Sequence, residues 1–204
     1  GASWKQGQLS SESRSVLYLQ RRFQTRSRRI ITNLDSLVNW CTGGILTGRC
    51  MSWEPGGGLA ADLRTVRQAS VIVGMHGAGL MNAFFMASGS AVVEIRPYGF
   101  EGEWPERYYK LLMNVEDAVL YFQLSIGSPG LCHMGEEAAA ATTIWDARDR
   151  NCHIPQRSLE RVFRSVRWTI NETNRVGTRR RRRQPVHDRL TWTASVFIAY
   201  EDDR

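Results

Sequence analysis

The sequence predicts an α/β domain built on a parallel, Rossmann-like sheet. Three observations carry this expectation. Short apolar runs alternate with amphipathic stretches along most of the chain. Two runs, SVIVGM (70–75) and SAVVEI (90–95), are almost continuously apolar, as strands covered on both faces are. The links between segments are short, which suits parallel strands joined by right-handed crossovers.

The elements follow in order. VLYLQ (16–20) is a short apolar strand, and residues 21–29 form a basic loop. Asn33 suits the N-cap of a helix with Leu34, Leu37, Val38 and Cys41 on one face, ended by Gly43 and Gly44. TGRCMSWE (47–54) is a second strand and EPGGG (54–58) a turn. Residues 59–69 are an amphipathic helix through Leu59, Leu63 and Val66. Strand 70–75, a helix over 80–86 and strand 90–95 come next. Residues 107–114 are expected to be helical, and AVLYFQL (118–124) is the following strand. After a Gly- and Ala-rich stretch, Ile154 and Pro155 open a last helix that carries Leu159, Val162, Phe163 and Val166 and ends near residue 170.

This divides the chain into a polar leader (1–14), a Rossmann-like α/β domain (15–174) and a basic tail (175–204). The tail holds five consecutive arginines, 179–183, and such runs are usually solvated and disordered. TASVFIAY (193–200) has strand character but no preceding segment that offers it a partner. No aromatic or groove-reading motif accompanies the arginines, so no nucleic-acid partner is expected.

Composition narrows the class further. The chain has 204 residues, a formal net charge of +7 and 42% hydrophobic residues, enough for one packed domain. No apolar run reaches the length of a membrane-spanning helix. The chain does not begin with Met and opens on small, polar residues, so a segment preceding Gly1 is expected. Cys41, Cys50, Cys132 and Cys152 show no CxxC spacing and no His at ligand distance, so no zinc site is expected. They allow three full pairings, and the sequence does not choose among them. Asn171-Glu172-Thr173 is a glycan acceptor triplet if the chain enters the secretory pathway.

The chemistry concentrates in GMHGAG (74–79), where a central strand hands over to a helix. Ligands of open α/β sheets bind at that edge. Backbone N–H groups at a helix start favour an anion. Gly77 and Gly79, with Ala78 between them, would let a ligand approach the backbone, and His76 adds a side-chain donor. The competing view is a plain tight turn in which His76 caps the helix. Glu94 lies 20 positions beyond Gly74, the offset at which an acidic residue bonds ribose hydroxyls; the alternative is an ion pair with Arg96. Arg21, Arg22, Arg28 and Arg29 follow the first strand and can offer guanidinium forks to phosphate; the alternative is a solvated basic loop. The glycine order Gly74-x-x-Gly77-x-Gly79 differs from the GxGxxG of nicotinamide enzymes, and no Gly-Lys-Ser/Thr or GxSxG is present.

The stretch ASVIVGMHGAGLMNAFFMASGSAVVEIRPYGF (69–100) resembles the signature of glycosyltransferase family 61. VLYLQRR…SRRIITN and LAADLRTVRQA resemble the segments that precede it in that family. The resemblance implies a GT-B architecture of two Rossmann-like domains, of which this chain holds the C-terminal, donor-binding one. It implies inverting transfer from a UDP-sugar to a protein-linked glycan, hydroxyl side chain or polysaccharide, without metal or other cofactor. It implies that His76 and the amides of Gly77, Ala78 and Gly79 meet the donor diphosphate, that Arg21 and Arg28 or Arg29 occupy the basic positions, and that Glu94 is the acidic one. Met81 stands where Thr is common. The catalytic base is expected in the N-terminal domain, and the whole protein in the Golgi or endoplasmic reticulum lumen behind a membrane anchor. A non-catalytic nucleotide- or phosphate-binding module is the second reading, and an NAD-dependent oxidoreductase the third.

Overall fold

The computed structural model describes residues 14–20, 28–42, 48–100, 119–134, 143–181 and 196–199. Six parallel strands form one sheet in the order β2–β1–β3–β4–β5–β8. They are β1 (Arg14–Leu19), β2 (Gly48–Trp53), β3 (Ala69–Met75), β4 (Ser90–Arg96), β5 (Val119–Ser125) and β8 (Val196–Ala199). Helices α1 (Leu34–Thr42) and α2 (Leu59–Gln68) connect the first three strands. A 3₁₀ helix (Ala78–Phe85) joins β3 to β4. The chain is therefore an α/β, Rossmann-like domain, as the alternating pattern predicts.

Strand alternation sorts the core into two layers. Val16, Tyr18, Val71, Val73, Val93, Ile95, Phe122 and Leu124 pack with Leu34 and Leu37 of α1. The same layer includes Leu159, Val162, Phe163 and Val166 of the long helix α4 (Gln156–Arg181). Trp40 of α1 stacks on Phe163 of α4, ring centroids 6.1 Å apart. On the opposite face, Leu17, Leu19, Ile72, Val92 and Tyr121 meet Val66 of α2 and Leu80, Ala83 and Met86. β3 and β4 are buried at every position, which explains their mainly apolar character, with Glu94 and Arg96 of β4 buried as a pair.

Several expectations change in detail. The helix expected over 80–86 is a 3₁₀ helix. Its buried residues, Leu80 and Ala83, and Met86 just beyond it recur every third position, the period of a 3₁₀ turn. In α2, Val66 is buried but Leu59, at the helix start, is 74% exposed. Asn33 does precede α1, and its backbone carbonyl accepts from Leu37 N–H. Its side chain instead bonds both the N–H and the carbonyl of Ile154, at 2.9 Å each.

The last helix extends to Arg181 rather than stopping near residue 170, and residues 196–199 of the expected tail pair with β5. A strand can join there because β5 is the open edge of the sheet. The helix expected over 107–114 and the basic residue Arg21 lie outside the described residues. Among the described residues four small elements went unpredicted: a 3₁₀ turn (Pro129–Leu131), β6 (Cys132–His133), β7 (Asn151–Cys152) and helix α3 (Ile144–Arg148). β6 and β7 pair antiparallel.

The cysteines pair as Cys41–Cys50 and Cys132–Cys152. The first bridge ties α1 to β2. The second ties β6 to β7. Cys152 is also bonded through its backbone to Ile30 and Thr32, so this bridge anchors the segment that follows β1.

Candidate functional site

The strand order reverses between β1 and β3: β2 lies on one side of β1, and the later strands lie on the other. In doubly wound sheets the ligand crevice opens at such a switch point, beyond the carboxyl ends of the strands. Two of the sequence-predicted groups meet here. His76 directly follows β3, and Arg28 and Arg29 lie in the segment after β1.

His76 continues the ladder, its N–H donating to Ile95 O at 2.9 Å. Alternation gives residues 72, 74 and 76 of this run the same face as 92, 94 and 96 of β4. Gly74 is the register partner of Glu94. Gly74 has no side chain to intervene: a Cβ there would lie 3.0 Å from Leu19 Cβ and 3.2 Å from Leu80 Cδ2. The glycine thus lets the 3₁₀ helix and β1 close together beneath the turn. Gly77 has φ +156° and ψ +165°, a backbone region that glycine alone occupies readily. The amides of Ala78 and Gly79 precede the first bond of the 3₁₀ helix, Leu80 N–H to Gly77 O at 2.9 Å.

Glu94 is fully buried and collects three donors. His76 Nδ1 pairs with Oε1. The Tyr121 hydroxyl donates to Oε2, and Arg96 Nε donates to the same oxygen at 3.2 Å. Arg96 also reaches the Tyr121 oxygen at 3.4 Å. Burial, and then the Glu94 charge, pushes the Tyr121 phenol far above its ordinary range, so it stays protonated and donates. Phe100 lies against the His76 ring at 4.7 Å between centroids. Glu94 and Arg96 therefore neutralise each other inside the protein, and the carboxylate that the sequence suggested for a ribose is engaged internally.

A second carboxylate organises the outer half. Asp149 Oδ2 accepts from Arg28 Nη1 at 3.0 Å. Its Oδ1 accepts from Arg148 Nε at 2.9 Å and pairs with Arg29 Nε at 3.3 Å. Burial alone would raise the Asp149 carboxyl; hydrogen bonds from Arg148 and Arg28, with the charges of Arg148 and Arg29, hold it below the usual range. Arg29 has φ +65°, a left-handed conformation uncommon outside glycine. Its Nη1 donates to the His76 carbonyl at 3.4 Å, which joins the two halves. The segment is fixed further by Ile30 N–H to Asn151 Oδ1 at 3.0 Å.

The sequence did not single out Tyr121, Phe100, Arg148 or Asp149. A weak signal for the last two was present: RDR (148–150) sets a carboxylate between arginines. Tyr121 was illegible because it reaches Glu94 only through the β4–β5 register. A separate depression of about 360 Å³, lined by Arg67, Phe84, Phe85, Met86 and Ala87, lies where β3 and β4 begin, at the edge away from His76.

The family described as Glycosyltransferase 61 matches residues 4–93, which include His76 and the glycine-rich turn. The match supports an assignment to glycosyltransferase family 61. Among curated proteins it is similar to Protein O-linked-mannose beta-1,4-N-acetylglucosaminyltransferase 2 of Bos taurus, 28% identical over 155 residues. That alignment covers 66% of this chain and 26% of the relative, so the chain spans about a quarter of the relative's length. The family match and the relative both support a glycosyltransferase-type domain. The matched region stops one residue short of Glu94, so the Glu94 and Asp149 networks rest on the geometry.

Proposed function

We propose that this chain is the donor-binding half of an inverting GT-B glycosyltransferase that uses a UDP-sugar. The observation that carries the proposal is the convergence, at the β1/β3 switch point, of His76 with Arg28 and Arg29. Three arginines and one aspartate leave a net charge of +2 beside a helix start, suited to a diphosphate. In an inverting transfer the acceptor hydroxyl attacks the anomeric carbon as the bond to the diphosphate oxygen breaks. Negative charge then builds on the leaving group, and preorganised donors stabilise it. Arg28, Arg29 and the amides of Ala78 and Gly79 supply such donors. His76 contributes through Nε2, because its Nδ1 is committed to Glu94. Glu94 thus acts as a positioning residue rather than as a ribose contact. The acceptor, a glycan, hydroxyl side chain or polysaccharide, and the general base that deprotonates it belong to the opposing GT-B domain.

The two disulfides suit an oxidising compartment, and Asn171 is exposed on α4 within its acceptor triplet. Both support action in the Golgi or endoplasmic reticulum lumen. Among the described residues no helix is long and apolar enough to cross a membrane.

Calorimetric titration of UDP into the 204-residue chain tests the site. UDP is expected to bind, and His76→Ala to weaken it about tenfold, the loss of one hydrogen bond to a charged group. Unchanged affinity in the variant would remove His76 from the diphosphate site. Tight NAD binding without UDP binding would sink the transferase assignment altogether.

A further inference from the structure

We infer that Arg148 is a third diphosphate-binding arginine, and that Asp149 is the positioning residue that holds Arg28, Arg29 and Arg148 together as one clamp. This rests on the diphosphate site proposed above and adds to it a residue and a support from outside the family-matched region.

Three guanidinium groups placed side by side repel one another. Here they converge on one carboxylate, which accepts hydrogen bonds from Arg28 and Arg148 and ion-pairs with Arg29, within 2.9–3.3 Å. The order of burial shows which side faces out. The Asp149 side chain is 11% exposed, whereas those of Arg28 and Arg148 are 49% and 28% exposed. Arg28 and Arg148 thus reach outward past the anion, while Arg29, 15% exposed, lies inside with it. A guanidinium has five N–H donors in a rigid fork; Arg28 turns one nitrogen and Arg148 one nitrogen to Asp149.

Arg148 also lies over the Trp145 ring, its guanidinium carbon 5.2 Å from the ring centroid. Helix α3, which carries both residues, is fixed at its start by a reciprocal capping pair between Thr143 and Asp146. Asp149 follows the helix directly, its N–H bonded to Asp146 O at 3.0 Å. The clamp is therefore built from two separate segments, one after β1 and one at the end of α3. The Cys132–Cys152 bridge and the Asn151 side chain lock them in place.

The competing role for Asp149 is that of a rival anion, and it predicts the opposite sign. Removing a rival would raise the net charge from +2 to +3 and tighten anion binding. Removing a positioning residue lets three flexible side chains disperse and weakens it.

Inorganic pyrophosphate, UDP and uridine are titrated by calorimetry into the whole chain, with thermal melts to confirm folding. Arg148→Ala is expected to weaken pyrophosphate and UDP roughly tenfold and leave uridine unchanged. Arg148→Lys should recover only part, since a point charge lacks the fork. Asp149→Asn is expected to weaken both phosphates several-fold despite the gain in positive charge, and Asp149→Glu to restore much of the loss.

Unchanged or tighter pyrophosphate binding in Asp149→Asn overturns the positioning role. Unchanged binding in Arg148→Ala, or no binding of pyrophosphate by the wild type, overturns the clamp. Where either variant fails to fold, the Lys and Glu variants carry the same comparison. If pyrophosphate binding follows the expected order but UDP binds no better than pyrophosphate, the clamp stands and the nucleotide assignment falls.

Discussion

Glu94 and Asp149 make an instructive pair. Each draws three side chains onto one carboxylate, and the two clusters meet where Arg29 reaches the His76 carbonyl. Their charge and solvent access differ. Glu94 is wholly enclosed and faces one permanent cation, Arg96, with a tyrosine and a histidine completing its shell. Asp149 is buried too, but it faces three permanent cations, of which Arg28 and Arg148 reach solvent. A buried charge must be matched closely, because an uncompensated ion in a low-dielectric interior is costly. An edge cluster can carry surplus charge, because water screens it until a ligand arrives. The inner cluster therefore fixes geometry, and the outer one holds positive charge in reserve for an anion.

The comparison can be broken most severely at Glu94. Glu94→Ala leaves Arg96 buried without the Glu94 carboxylate, and loss of one member of a buried ion pair costs about 3–5 kcal/mol. Urea unfolding should show that loss as a large fall in midpoint; a fall under about 1 kcal/mol would mean that the inner cluster is not organised as described. The Cys132–Cys152 bridge comes next. It closes a separation of 20 residues. Replacing both cysteines by serine should cost about 3 kcal/mol. It should also weaken pyrophosphate binding more than the same change at Cys41–Cys50, because only the former anchors the Arg28–Arg29 segment.

Tyr121→Phe should have a smaller effect, about 1–2 kcal/mol, since it removes one hydrogen bond to a charged acceptor and leaves Arg96 in place. A loss that matched Glu94→Ala would shift the centre of the network from Glu94 to Tyr121. Asp149→Asn should have the least effect on stability, about 1 kcal/mol or less, because its ion pairs are partly solvated. Its pH dependence has a definite sign. The folded-state value lies below the ordinary 3.8, so the contribution is present above that pH and fades as pH falls below it. Wild type and Asp149→Asn should thus differ by a constant amount from pH 5 to 8 and converge in stronger acid. A difference that grew on acidification would contradict the pairing.

Much of the frame was legible because it depends on local pattern. The apolar runs at β3 and β4 gave doubly buried strands, and the glycines around His76 gave the turn after β3. The period-three spacing of Leu80, Ala83 and Met86 was also present, but so short an apolar run fits an α-helix or a 3₁₀ helix. Tail residues 196–199 were passed over because a strand is recognised by its partner, and its partner β5 lies some 70 residues earlier.

The sequence by itself determined a parallel α/β domain, the place of a glycine-rich turn with a histidine, and arginines following the first strand. These follow from the periodicity of side chains along a single element. Tertiary structure decided which carboxylate each cation meets, which cysteines pair, and that Asp149, 120 residues beyond Arg29, belongs to the same cluster. Those outcomes depend on strand order and register, which bring distant residues to one edge and leave no trace in local spacing.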